Sequence, residues 1–252
     1  DDGNISYKQV KKAPKAQLQK PPKKSDKLDP TSDIIGLDFG MLNLFATSEG
    51  DLVGHDLYGW LVERDYELET LTKRLRQQHV KFTDSTRYNN LQSRINEYVS
   101  NEVNRCLNRI VFLYNPHTIV VEKLDFRGGG LSKQLNRILS RFGRHAIKLK
   151  LTSLQEELGI NVVYVPAAYT SLECSKCGFI SEKNRRGEKF LCEFCGYKTH
   201  ADYNASLNIR SRRSWAKNWH NVSRTKLLEK LDTEFSKCWN INANVVRERK
   251  EK

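Results

Sequence analysis

The sequence predicts a mixed α/β protein in which a sheet of short strands is flanked by helices and interrupted by a helical hairpin and a four-cysteine ribbon. Three observations carry this. Short apolar runs at 34–39, 118–121 and 160–165 suit strands, longer segments between them hold apolar residues at helical spacing, and two Cys-x-x-Cys pairs stand close together.

The elements follow in chain order. Residues 1–31 are rich in Lys, Pro and Gln with almost nothing to bury, and read as a basic linker behind an upstream module. Residues 32–54 hold two apolar runs separated by Gly40 and followed by a turn at Glu49, Gly50 and Asp51, the pattern of a strand meander. Along the first run Ile35, Leu37 and Phe39 share one face and Ile34, Gly36 and Asp38 the other. Asp38 therefore needs a cation or a strand-end position, because a buried unpaired carboxylate is costly.

From Trp60 to about Gln78, Leu68, Leu71 and Leu75 mark a charged helix. A longer one runs from about Tyr88 through Leu91, Ile95, Val99, Val103, Cys106, Ile110 and Leu113 until Asn115-Pro116 breaks it. The two form a hairpin whose facing stripes are ordinary core. "HTIVVEKL" is a strand buried on both faces that ends in Glu122. "RGGG" at 127–130 suits a crossover, the chain turns helical through Leu149 and Leu154, and "INVVYVP" is a further strand. After the cysteines, Asp202 opens a helix that continues through Leu207 and Ile209.

Lys and Arg total 43 against 30 Asp and Glu, a formal charge of +13 and a pI near 9.5, which points to a polyanionic partner such as nucleic acid. The charge is gathered: 123–155 carries eight bases and one acid, and 210–252 twelve bases and five acids. No run approaches the roughly 18–20 apolar residues that span a bilayer, and no apolar segment behind a basic start resembles a signal peptide, so a cytoplasmic, membrane-free setting is expected.

Cys174, Cys177, Cys192 and Cys195 form C-x2-C-x14-C-x2-C, with a glycine after each pair. Four thiolates fill a tetrahedral zinc shell and leave no open position, which makes the site structural. Structural zinc contributes about 10–16 kcal/mol of apparent binding energy, enough to fold a small ribbon. His200 is read as a polar neighbour outside the full shell, and Cys106 and Cys238 as small buried apolar residues.

Three acids share a setting: Asp38 and Glu122 at strand ends, Asp202 at a helix start. Singly, each has an ordinary explanation as a turn residue, a chain-end charge or a helix-start acid. Converging, they would offer oxygen ligands to Mg²⁺, and two such ions about 3.5–4 Å apart activate water and stabilise a leaving phosphodiester oxygen. Spacing alone does not bring them together.

Read jointly, "IGLDFGMLNLFAT", "IVVEKLDF", "PAAYTSLECSKCG" and "CGYKTHADYNASLNI" resemble, in order and spacing, the RuvC-type nuclease half of the transposon-encoded TnpB family, to which the type V CRISPR effectors are related. The similarity runs from about Ile34 to Arg210. It implies an RNase H-like (RuvC) fold with Asp38, Glu122 and Asp202 as the magnesium-binding catalytic triad, and RNA-guided DNA cleavage, with guide RNA as a partner if an upstream module exists. The implied parts are a nuclease domain at 32–170 with its hairpin at about 60–115, a zinc ribbon at 171–199, the last nuclease segment at 200–215 and a basic tail at 216–252. Lys123, Arg127, Lys133, Arg137, Arg141, Arg144, Arg185 and Arg186 are expected to contact nucleic-acid phosphates. A non-catalytic zinc-ribbon DNA-binding protein or repressor is the alternative, and a resolvase of branched DNA shares the chemistry.

Overall fold

Strands β1 (Ile34–Asp38), β2 (Phe45–Thr47) and β3 (Leu52–Val53) form an antiparallel meander, and β4 (Thr118–Glu122) and β5 (Asn161–Val165) extend it in parallel to give the order β3-β2-β1-β4-β5. This is a computed structural model that describes residues 33–40, 42–123, 144–215 and 222–240. The basic linker, the 127–130 crossover and the last residues of the tail lie outside them.

Each inner strand is covered on both faces, and side-chain alternation decides what covers it. Ile35, Leu37, Ile119, Val121 and Val162 face a core shared with helices α1 (Leu57–Gln77), α2 (Thr86–Tyr114) and α3 (Arg144–Leu158). Val120 and Val165, joined by Ile34 and Val163, meet Ile209 of helix α4 (Ala201–Ser211) on the other face. Burial of β1 and β4 on both sides explains the apolar runs that precede the terminal acid in each.

The hairpin helices begin and end where local chemistry dictates. α1 starts three residues before Trp60, because Leu57 and Leu61 extend its buried stripe. Ser85 caps α2 by accepting a hydrogen bond from the Tyr88 amide. Asn115 closes α2 in the left-handed region (φ 40°), its amide bonded to Val111 O at 2.8 Å, and Pro116 follows.

α4 lies directly on the backbone of β1. A Cβ placed on Gly36 would sit 2.2 Å from Ser206 O and 2.8 Å from Arg210 N, so only glycine permits this approach. The same residue is held along the sheet by Ser48, whose hydroxyl accepts from the Gly36 amide at 3.0 Å and whose amide donates to Gly36 O at 2.9 Å.

A second sheet, β6 (Arg185–Arg186), β7 (Lys189–Leu191) and β8 (Lys198–His200), forms the ribbon immediately before α4. Within 216–252, expected above as a basic tail, the chain forms helix α5 (Arg224–Trp239). Ser223 caps it, and Leu227, Leu231 and Phe235 give it a buried stripe at helical spacing. Phe235 joins the ribbon's aromatic cluster, and Trp239 Nε1 donates to Cys177 O at 2.9 Å. Net charge masked that amphipathic pattern in the sequence. Among the described residues no helix is long and apolar enough to cross a membrane.

Candidate functional site

The register of the parallel pair sets the first two acids side by side. Leu37 stands opposite Val121, so one step further Asp38 ends β1 beside Glu122 at the end of β4. Neighbouring strands lie about 4.8 Å apart. Both acids share the parity of Gly36 and Val120 and therefore face α4. Asp202 comes from the first turn of that helix, whose N-terminus is capped by His200 Nδ1 accepting from the Asp202 amide at 3.3 Å. The turn after β1 closes against it: a Cβ on Gly40 would stand 3.3 Å from Asp202 Oδ2.

Asp38 and Asp202 are buried, at 7% and 6% exposure. Burial holds the Asp38 carboxyl well above its ordinary range, and the charges of Glu122 and Asp202 push it the same way, against the pull of Arg185 and the Phe39 backbone. Burial likewise pushes Glu122 up to about 7 against the pull of Arg212 and Arg185. Mutual repulsion at this depth means the acids share one electrostatic site. Among the described residues, however, the four cysteines form the one group of three or more whose ligand atoms lie within 4.8 Å of one another, so the three acids are spread more widely than the sulfurs. A pair of ions about 4 Å apart tolerates that spread, since each acid need not reach both ions. Three carboxyl groups, with Asp38 and Asp202 buried, offer the all-oxygen donor set that suits a hard ion such as magnesium.

Arg185, in the first ribbon strand, donates from Nη2 to Asp202 Oδ1 at 2.8 Å. The ribbon thus touches the acid centre through a side chain expected to contact only nucleic acid. Arg186 is exposed beside it, and Lys123, just past Glu122, is exposed with its amide on Val165 O. Arg144 begins α3, while Arg127, Lys133, Arg137 and Arg141 lie outside the described residues.

The two cysteine knuckles repeat one geometry. Cys174 N donates to Phe179 O and Gly178 N to Cys174 O, and Cys192 N and Gly196 N do the same with Tyr197 O and Cys192 O. Gly178 and Gly196 take the positive φ values, 79° and 70°, that the tight turn requires. Sulfurs of Cys174 and Cys195 lie 3.7 Å apart and those of Cys177 and Cys192 3.5 Å. A tetrahedral ion with metal–sulfur distances of about 2.3 Å sets its ligands about 3.8 Å apart, so the four thiols fit zinc. Cys106 is buried as expected; Cys238 is exposed, since it lies in the last turn of α5, although on the same face as Leu231 and Phe235.

Sequence reading missed a buried polar stripe on α4 and its following turn, formed by Asn204, Asn208 and Arg212 with Glu173 as their partner. The available signal was their recurrence every four residues along one face of the predicted helix.

A mixed sheet with acids at the ends of two parallel strands, completed by a helix and a tetrathiolate ribbon, defines a mixed α/β protein with a candidate metal-binding centre. Comparison with known proteins gives its kin. Residues 145–209 match the family model described as the Cas12f1-like TNB domain. The chain is 36% identical over 158 residues to the TnpB-like protein aq_aa05 of Aquifex aeolicus, 58% of this chain and 51% of that protein. It is 25% identical over 204 residues to the putative RNA-guided DNA endonuclease InsQ of Escherichia coli, covering 73% and 50%. A CRISPR-associated endodeoxyribonuclease Cas12f1 from Sulfoacidibacillus thermotolerans is 41% identical over 75 residues, 29% of this chain and 18% of that one. In fold, the chain resembles the protein of a Cas12f1-sgRNA-target DNA complex with a TM-score of 0.52 at 21% identity, covering 73% of this chain and 51% of that one. By these matches the chain is similar to TnpB-like proteins and to type V CRISPR effectors, and it spans about half or less of the length of these curated relatives.

Proposed function

We propose that the chain carries the catalytic part of an RNA-guided DNA endonuclease, an RNase H-like (RuvC) domain that hydrolyses phosphodiesters with magnesium held by Asp38, Glu122 and Asp202. The observation that supports this best is the convergence of three acids from β1, β4 and α4: burial pushes Asp38 well up, with the charges of Glu122 and Asp202 acting the same way, and burial pushes Glu122 up to about 7. The resemblance to InsQ and aq_aa05 supports the substrate class and a guide RNA as partner.

Bound magnesium would supply a water nucleophile at neutral pH and charge stabilisation at the leaving oxygen. The protein's part is to hold the three acids in place, with α4 keeping Asp202 over the sheet edge. Arg185, drawn to this cluster by its charge, is placed to meet a phosphate entering from the ribbon side, with Arg186 and Lys123 exposed along the approach. Zinc in the cysteine site holds the ribbon that carries Arg185. Such a protein works in the cytoplasm, on DNA.

The test is incubation of the purified chain with labelled single-stranded DNA and Mg²⁺ or Mn²⁺, beside Asp38→Ala. Metal-dependent cleavage that the substitution abolishes supports the nuclease. Equal behaviour of the two proteins, with DNA retained, assigns the chain instead to non-catalytic zinc-ribbon binders. Preferential cutting of four-way junctions would make it a resolvase.

A further inference from the structure

Asn204, Asn208 and Arg212 recur every four residues along one side of α4 and the turn after it, at 0%, 2% and 1% exposure. Such polarity inside a core is unfavourable unless its groups are bonded. Here the bonds converge on one segment, the 166–173 loop that leaves β5 for the first knuckle. Asn204 Nδ2 donates to Glu173 O at 2.7 Å while its Oδ1 accepts from Ser175 N at 2.9 Å. Asn208 Nδ2 donates to Thr170 O at 2.8 Å and Glu173 O at 2.7 Å. Arg212 Nη1 donates to Pro166 O at 2.8 Å and Ala168 O at 2.7 Å, and Nη2 to the Glu173 carboxylate at 2.6 Å.

Carbonyls at 166, 168, 170 and 173 therefore all turn toward one helix. Loop carbonyls rarely line up this way without a set of donors to gather them. Another side of the same helix rests on β1 at Gly36, where its backbone cannot come closer. Between these two contacts the helix is fixed in both translation and rotation, and Asp202 stands on its first turn.

We propose that Arg212, Asn208 and Asn204 form a positioning ladder that sets where Asp202 stands relative to Asp38 and Glu122, an inference that rests on the three acids being the metal-binding centre. The ladder residues touch neither metal nor DNA. Their role is to tie the third acid's helix to the loop that also launches the ribbon, so that the centre and the zinc-bound knuckle keep one spacing. It also gives a physical reason for the two segments to occur together: "PAAYTSLECSKCG" supplies the acceptors and "ADYNASLNIRSR" the donors.

The experiment uses the full chain loaded with zinc, in two variants. Asn208→Ala removes two hydrogen bonds without stranding a buried charge. Arg212→Lys keeps the charge, but one ammonium cannot span Pro166, Ala168 and Glu173 as the planar fork does. Mn²⁺ affinity is measured by calorimetry with Asp202→Asn as the reference for a lost ligand, backbone hydrogen exchange is followed at 166–173, and cleavage of single-stranded DNA is resolved into kcat and KM. The expected result is Mn²⁺ affinity and kcat each down about tenfold or more, KM for DNA within about twofold of wild type, unchanged zinc content and faster exchange at 166–173. Faster exchange with wild-type Mn²⁺ affinity would reduce the ladder to a loop fastener and overturn the proposal. Loss of zinc in Arg212→Lys leaves Asn208→Ala to decide. Wild-type chain that binds Mn²⁺ through Asp202 yet cuts nothing defeats the nuclease reading alone, whereas the absence of any Asp202-dependent Mn²⁺ binding defeats the ladder as well.

Discussion

Replacing Gly36 by alanine tests the contact on which the third acid's placement depends. The new methyl would stand 2.2 Å from Ser206 O and 2.8 Å from both Arg210 N and Arg210 Cβ, and two of those three neighbours are helix backbone that no rotamer change can move. Relief requires α4 to withdraw by about 1 Å, a displacement that costs on the order of a hundredfold in rate when it reaches catalytic groups. Overpacking of this kind destabilises by about 1–3 kcal/mol, equivalent to a Tm lower by about 2–12 °C in a chain of this size. The matched control is Gly59→Ala in α1, where nothing lies within 4 Å of the added methyl and the helix should gain about 0.5–1 kcal/mol. Thermal melts of the two variants should therefore move in opposite directions, and only Gly36→Ala should lose Mn²⁺ affinity and DNA cleavage. A Gly36→Ala protein that melts at or above the wild-type temperature with unchanged Mn²⁺ affinity would refute the reasoning.

Cys174→Ser or Cys192→Ser should abolish zinc retention and unfold the ribbon, seen as lost zinc by elemental analysis and a red-shifted Trp239 emission as its bond to Cys177 O is released. Full activity in zinc-free protein would break the proposed coupling between ribbon and acid centre. Glu122 keeps its proton up to about 7 when folded but releases it near 4.5 when unfolded, so the magnesium-free folded chain binds more protons across that window. Its contribution to stability is greatest at the acid end and fades as pH rises toward 7. Melts from pH 5 to 7.5 should show wild type losing ground to Glu122→Gln, and parallel curves would argue against it. Mn²⁺ affinity should rise over the same interval. Leu107→Ala, at a site with 0% exposure in the C-terminal half of α2, should cost about 2–5 kcal/mol in chemical denaturation without altering zinc content.

The legible parts of this protein were those with a period or a fixed spacing. Strand β4 announced itself as an unbroken apolar run, α2 as a stripe from Leu91 to Ile110, and the ribbon as paired cysteines each followed by glycine. Asp38 and Glu122 were visible as the polar residues that end otherwise apolar strands. What no spacing rule reports is register: Asp38 stands beside Glu122 because Leu37 pairs with Val121, and that choice is made by the core beneath. The ion pair between Arg185 and Asp202 was hidden for the same reason, since it joins two elements whose relative placement the four cysteines decide. Helix α5 escaped because its bases outnumber what a charge count would expect of a packed element, although Leu227, Leu231 and Phe235 recur every four residues. Arg212 looked like one more surface base and is among the most deeply buried side chains of the molecule.

Helix α5 bears on how small such a protein can be made. The family match ends at residue 209, and trimming there would look harmless on an alignment. It would strip Phe235 and Trp239 from Phe179 and Phe194, leaving a greasy patch over the zinc knuckle. A shortened version would then precipitate or self-associate, and the fault would be mistaken for a failure of the acid centre.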